Sequence, residues 1–274
     1  MKTFKILLGI VTLPMALVGS GFAKEIDVFL MAGQSNMVGC GLVQHIQDEL
    51  KGMSGYKKIK YVLLNSGEEE YSGWGPWEEK VRGKRNIAWF GVDLPFGEIL
   101  GDKHEGEYGI IKIARGSTSI VKHWHPDETR TDEKLYDHFV QNAQAAIQDL
   151  EKEGYNVTIK GFFWYQGEGD CAPREEKAAM EYGKNLRRIR EKVREDFESP
   201  DLPFIAVRIH PQKERWEKHK DKVRDHIVAV CEEDPKSAWI DVDDLKHLDK
   251  VHLGTKGLFT LADRFYEAWV KLDR

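Results

Sequence analysis

Four short stretches carry residues whose types and spacing can do chemistry. They are Gly33-Gln34-Ser35-Asn36-Met37, Ala114-Arg115-Gly116-Ser117-Thr118, Tyr165-Gln166-Gly167-Glu168-Gly169-Asp170 and Asp249-Lys250-Val251-His252. A serine hydroxyl becomes an effective nucleophile when a base removes its proton during attack. For Ser35 the candidate base is His252, and Asp249, three residues earlier, can hold the imidazole Nδ1–H and favour the productive tautomer. The short spacing lets one loop position both groups. Asp244 and His247 repeat that spacing and form a rival pair among the ten histidines. Taken alone, the Ser35 stretch favours an ordinary strand-to-helix turn with Ser35 as a capping residue, because serine and asparagine are favoured at helix N-caps. Acyl transfer also needs donors for the oxyanion. The backbone N–H groups of Ser35 and Gly116 are candidates, since a glycine lets the backbone come close to a ligand.

Other reactive side chains make weaker sets. His123 and His125 flank Trp124, but two histidines with no nearby cysteine or paired acids are a poor metal site, so they read as cleft wall or packing. Arg115 can bind a sugar hydroxyl or carboxylate, or act as an ion-pair partner. Cys40, Cys171 and Cys231 are an odd number. Cys40 lies five residues after Ser35 and Cys171 five after Gln166, so a Cys40–Cys171 disulfide is expected if the two loops meet; three buried thiols is the alternative.

The elements that must position these residues are legible in the pattern. Apolar runs at Ile26–Ala32, Ile59–Leu64, Gly109–Ala114, Thr158–Tyr165, Phe204–Ile209 and Ala238–Val242 suit strands, several of them buried on both faces. Helical periodicity is clearest over Thr131–Lys152, Arg174–Phe197 and Thr255–Lys271, and weaker over Leu94–Lys103 and Gln212–Cys231. Alternating strands and helices predict an α/β fold with a mainly parallel sheet and helices on both faces. Three of the reactive stretches follow a strand directly, so in a parallel sheet they converge on one edge. The stretch 65–91 has no convincing period and holds Trp74, Trp77 and Trp89. Any single one of them reads as a residue that pins the irregular loop; as a group near a polar cleft, one or two could stack on sugar rings.

The first 23 residues read as a secretory signal peptide: Lys2 and Lys5, a short apolar core from Ile6 to Val18, and a small-x-small end at Ala23. Residues 24–274 then form one domain, exported and without stable membrane insertion after processing. The formal net charge is −5 with acidic and basic residues interspersed, which argues against nucleic acid as a partner.

Taken together and in order, Gly33-Gln34-Ser35-Asn36-Met37, Arg115-Gly116, Trp164-Tyr165-Gln166-Gly167-Glu168 and Asp249-x-x-His252 resemble the SGNH hydrolase superfamily. The resemblance is closest to its sialate O-acetylesterase-like branch, carbohydrate esterase family six, which also contains acetylxylan esterases. It spans Ile26 to the C-terminal helix, and Gly91-Val92-Asp93-Leu94-Pro95-Phe96-Gly97 resembles a further block. The resemblance implies a three-layer α/β/α sandwich, flavodoxin-like in outline, and a serine esterase that removes O-acetyl groups from a carbohydrate without a cofactor or metal. Ser35, Asp249 and His252 would be its catalytic residues and Gln34, Asn36 and Arg115 would support them. The superfamily pattern Gly-x-Asn-Asp is absent from the third stretch, and the branch's Gln166 is assigned the side-chain oxyanion donor in its place. Glu168 would fix that loop or orient the histidine. Hydrolysis of another ester or thioester, and carbohydrate binding without catalysis, are the other readings.

Overall fold

A computed structural model describes residues 23–273 except 66–68, 85–86, 128–133 and 212–217. The strands are β1 (Lys24–Gly33), β2 (Gly41–Leu42), β3 (Ile59–Leu64), β4 (Arg82–Lys84), β5 (Ile87–Phe90), β6 (Glu107–Ala114), β7 (Tyr155–Tyr165), β8 (Phe204–Val207) and β9 (Ser237–Ile240). The helices are α1 (Ser35–Val38), α2 (Gln47–Gly52), α3 (Trp77–Lys80), α4 (Asp93–Lys103), α5 (Leu135–Lys152), α6 (Glu176–Asp196), α7 (Lys220–Glu232) and α8 (Thr255–Leu272). Six strands form one sheet in the order β3-β6-β1-β7-β8-β9, and every pairing in it is parallel.

β1 lies in the middle of this sheet because it is apolar on both faces. Val28 to Ala32 are fully buried between β6 and β7. Alternate residues of a strand point to opposite layers. In β7, Phe163 stacks on Phe265 of α8 at 4.6 Å, whereas its neighbour Phe162 packs on Phe139 of α5. Phe29 of β1 meets Phe96 of α4 and Trp269 of α8 edge-on. One layer is therefore built on α4 and α8 and the other on α5, with α6 and α7 packed together, giving the three-layer α/β/α sandwich.

All six expected strands and all five expected helices are present, with ends shifted by a few residues. The larger differences are at β7, which starts at Tyr155, and at α5 and α7, whose expected starts fall partly in 131–133 and 212–217, outside the described residues. The stretch 65–91 carries more structure than its sequence suggests. β5 pairs with β2 on one side and β4 on the other in a small antiparallel sheet, and Gly75 bridges to Tyr61 and covers the outer edge of β3. Two of its tryptophans are packing residues, the reading that each one taken singly suggests, and stacking on a sugar does not fall to them. Trp74 lies against Gly109, and its indole N–H donates to the Ala146 carbonyl at 2.8 Å. Trp77 is buried against Tyr56 and donates to Asp93 Oδ2 at 3.0 Å.

Candidate active site

Register brings three of the reactive stretches together. Gly33 at the end of β1 stands opposite Ala114 of β6 and Tyr165 of β7, so residues 34–35, 115–117 and 166–168 leave the sheet side by side. Only glycine fits at that crossing. Gly33 has φ +154°, and a Cβ there would lie 2.1 Å from the Tyr165 carbonyl oxygen. The chain then turns into α1, a single turn whose first residue is Ser35. The first N–H groups of a helical turn have no partner within it. Among the described residues, the N–H groups of Ser35 and Gly116 remain without hydrogen-bond partners, and a Cβ on Gly116 would stand 3.6 Å from the Ser35 Cβ.

The fourth stretch arrives from the loop before α8. His252 Nε2 is 3.1 Å from Ser35 Oγ, and His252 Nδ1 is 2.8 Å from Asp249 Oδ2. The other oxygen of Asp249 accepts the backbone N–H groups of Val251 and His252, both at 2.7 Å. Burial alone would raise the Asp249 carboxyl, but these hydrogen bonds outweigh it and hold the pKa down to about 2. An ionised Asp249 therefore faces Nδ1, which leaves Nε2 as the acceptor for the serine proton.

Asn36 ties this loop to the sheet edge. Its Nδ2 donates to Glu168 Oε1 at 2.7 Å and to the Val251 carbonyl at 3.1 Å, and its Oδ1 accepts the Leu253 N–H at 2.9 Å. Glu168, itself buried, is thus linked to the histidine loop through Asn36. Arg115 contributes through its backbone: its N–H donates to the Gly33 carbonyl and its carbonyl accepts from Thr118 Oγ1. Ser35, Gln34, Glu168, His252 and Val251, with Ser117, Gly169, Ala172 and Arg174, line a cleft of about 340 Å³.

Gln166 is the principal correction. It is fully buried and absent from the cleft lining. Its amide nitrogen donates to Asp170 Oδ2 (2.7 Å) and the Thr118 carbonyl (2.9 Å) and lies 3.2 Å from Gln34 Oε1, while its own Oε1 accepts from Tyr182. An amide carries only two N–H groups, so none is left for an oxyanion. Gln166 is a tie between loops. Its partner Asp170 also accepts from Ser119 Oγ and the Ile120 N–H, and burial raises its carboxyl to about 6 despite those bonds.

No disulfide joins Cys40 and Cys171; each is a thiol. Cys171 is buried beneath the Gly167 turn, with Sγ 3.2 Å from that carbonyl, and its own carbonyl accepts from His219. Cys40 follows Gly39, which packs against Phe90 and Gly91 on the side of the small sheet. The loops meet at Asn36 and Glu168, and the two cysteines leave that meeting point in different directions. His123 and His125 bond to loop backbone, and Trp124 is buried against Trp164.

Sequence reasoning missed three contributors. Lys112 and Asp93 form a fully buried ion pair, and Lys112 Nζ also donates to the Val38 carbonyl, supporting α1 from below. The signal was visible in Ile110-Ile111-Lys112-Ile113, where a lysine interrupts a strand otherwise buried on both faces. Ser117 stands in the left-handed region at φ 60°, uncommon for a residue with a side chain, and faces the cleft. Arg174 is an exposed guanidinium at the same cleft, 3.5 Å from Glu175.

A family model described as SASA, carbohydrate esterase, sialic acid-specific acetylesterase, matches residues 25–271. The chain belongs to this family. It is a carbohydrate esterase, a carboxylic ester hydrolase. It is 28% identical over 196 residues to the Arabidopsis thaliana protein named probable carbohydrate esterase At4g34215, an alignment covering 67% of this chain and 68% of that one. Solved structures share its fold. The Arabidopsis At4g34215 protein superposes with a TM-score of 0.66 at 23% identity, covering 89% of this chain and 97% of that one. NanS gives 0.67 at 15% identity over 91% and 98%. XAC1771 from Xanthomonas citri, described as a carbohydrate acetylesterase, gives 0.64 at 16% identity over 88% of this chain and 55% of that one.

Proposed function

We propose that this carbohydrate esterase is exported and removes O-acetyl groups from a sugar through an acetyl-enzyme intermediate, with Ser35 as nucleophile, His252 as base and Asp249 orienting the imidazole. The observation that carries the reading is the unbroken chain from Asp249 Oδ2 through His252 to Ser35 Oγ, at 2.8 and 3.1 Å. Ser35 Oγ attacks the acetyl carbonyl carbon as its proton passes to His252 Nε2, and the carbonyl electron pair moves onto oxygen. The N–H groups of Ser35 and Gly116 face that oxyanion. Collapse expels the sugar hydroxyl, which takes the proton from His252. Water, deprotonated by the same imidazole, then attacks the acetyl-enzyme and releases acetate. Asn36 and Glu168 hold the histidine loop over the nucleophile, and Arg115 braces the turn that carries Gly116.

Arg174 at the cleft favours an acidic sugar over a neutral one, because a guanidinium pairs well with a planar carboxylate. Sialate esters are therefore ranked ahead of acetylated xylan. Export rests on the character of residues 1–23 and predicts a mature chain beginning at or close to Lys24. Acetate release from O-acetylated sialic acids and from acetylated xylan, with a chromogenic acetyl ester as control, tests the activity. Release from the sialate substrates and the control is expected. Folded protein that cleaves none of the three would return the cleft to carbohydrate binding without catalysis.

A further inference from the structure

Lys112 and Asp93 are 2% and 0% exposed, and no step of the reaction above uses either. Taking two charges out of water is costly, and neutral side chains of similar volume often serve a fold equally well or better. Fastening α4 to the sheet is therefore a weak reason for this pair. Its third contact is more informative. Lys112 Nζ donates at 3.0 Å to the carbonyl of Val38, the last residue of α1. Position 91 has no room for a side chain beside this contact. A Cβ on Gly91 would lie 2.6 Å from Asp93 Oδ1, 2.8 Å from the Val38 carbonyl oxygen and 2.9 Å from Lys112 Nζ. Trp77 Nε1 holds the other oxygen of the Asp93 carboxylate, which fixes the carboxylate and with it the ammonium.

α1 has only four residues, and a single turn fixes more backbone dihedrals than it gains hydrogen bonds. Its shape has to be imposed from outside. Asn36 ties it to the loops above, and Lys112 ties its far end from below. Lys112 also belongs to β6, four residues before Gly116. One side chain thus joins the turn that carries the Ser35 N–H to the strand that delivers the Gly116 N–H. We propose that Lys112, held by Asp93, is a positioning residue for the reaction, which fixes Ser35 Oγ and the spacing of the two backbone oxyanion donors. The assignment rests on the esterase reading above and adds a residue to it. Lys112 touches no substrate, but a shift of the nucleophile by about 1 Å costs on the order of a hundredfold in rate.

Two variants separate this role from a structural one. Asp93→Asn breaks the ion pair but leaves Lys112 able to donate to Val38. Its unfolding temperature should fall, because one charge of a buried pair loses its partner, while kcat on a chromogenic acetyl ester stays within about fivefold of wild type. Lys112→Met/Asp93→Asn removes both charges and the Val38 contact. It should unfold at a higher temperature than Asp93→Asn, yet lose about ten- to a hundred-fold in kcat with KM within about threefold of wild type. Its phosphonylation at Ser35 by a small fluorophosphonate, which needs no contact to a sugar, should slow in parallel. A folded double variant within about threefold of wild-type kcat, or one phosphonylated at the wild-type rate, would overturn the assignment. So would an Asp93→Asn enzyme as slow as the double variant, because activity would then follow the ion pair and not the Val38 contact. If the double variant does not fold, Lys112→Gln decides: its shorter amide draws the donor back from Val38, so a tenfold or greater loss of kcat is expected and a loss under about threefold has the same overturning force. Wild-type protein that cleaves no acetyl ester would sink the esterase reading as well, whereas an active wild type with an equally active double variant sinks this assignment alone.

Discussion

Asp244–His247 and Asp249–His252 have the same spacing and stand five residues apart in one loop, but their surroundings give them different work. In the first pair the carboxylate is drawn away. Asp244 binds Arg264 through both oxygens, at 2.9 and 2.7 Å. The imidazole of His247 turns to the Leu245 carbonyl at 2.8 Å and packs on His210 with ring centroids 3.7 Å apart. Burial lowers the pKa of His247, and burial together with His247 and Lys220 pushes His210 to about 4, so both rings of this stack are held neutral. In the second pair no arginine among the described residues competes. Asp249 folds back on its own loop, caps two backbone N–H groups and aligns His252 on the serine. Local spacing makes an Asp–His pair possible; the neighbour that reaches the carboxylate first decides whether it forms.

The comparison can be broken most directly at its reactive end. Ser35→Ala or His252→Ala should reduce kcat by roughly four to six orders of magnitude with no loss of folded structure, read by single-turnover hydrolysis and far-UV circular dichroism. Either variant retaining more than about a hundredth of wild-type kcat would remove that residue from the chemistry.

Asp249→Asn should cost less, on the order of a hundred- to ten-thousand-fold in kcat, because its role is to orient the imidazole. The same residue gives a pH prediction. Its folded pKa lies below the unfolded value of ~3.9, so the stability it contributes is fully present above that value and is lost as the pH falls towards about 2. The gap in unfolding temperature between wild type and Asp249→Asn should thus be constant across the neutral range and close only below about pH 4. A gap that closed near neutrality would mean that Asp249 is not held ionised by this loop.

Gln166→Ala sharpens the contrast between residues that touch the reaction and one that ties the loops beneath them. It leaves the Thr118 carbonyl without its side-chain donor and takes one hydrogen bond each from Asp170 and Tyr182, all at buried positions. A loss of stability of a few kcal/mol is expected, at about 1–3 kcal/mol for each buried group left unpaired. Calorimetry would read it as a clear fall in unfolding temperature. An unchanged unfolding temperature would contradict the buried network. The smallest effects belong to the rival pair. His247→Ala and Asp244→Asn should leave kcat within about threefold of wild type. If His247→Ala lost as much activity as His252→Ala, the base would have to be reassigned.

Most of the architecture was legible because parallel strands buried on both faces must be apolar runs and surface helices must be amphipathic. Phe162–Tyr165 and the α5 stripe of Leu135, Phe139, Ala143 and Ala146 show both patterns without ambiguity. The tryptophans of the 65–91 stretch were harder to read, because an indole that caps a sheet edge and one that stacks on a sugar have the same composition. Lys112 was overlooked for a related reason: its partner Asp93 lies 19 residues away, on the next helix back, and no local pattern links the two.

What the amino-acid order determined by itself was local or periodic. It set the strand runs, the glycine that ends β1, the Ser35 position at a strand end and the three-residue spacing that lets Asp249 reach His252. What only the tertiary structure decided was the use of hydrogen-bonding capacity that several partners could claim. Gln166 and Gln34 are both glutamines near the nucleophile. Gln166 is saturated by groups 4 to 132 residues away, whereas Gln34 lines the cleft beside the nucleophile. Cys40 and Cys171 are each five residues from a loop that meets the other, yet they diverge once Asn36 and Glu168 have joined those loops. A side chain's type states what it can bond. Which bonds it makes depends on the groups the fold brings within about 3 Å, because a buried donor or acceptor left unmet costs more than any preference written in the local sequence.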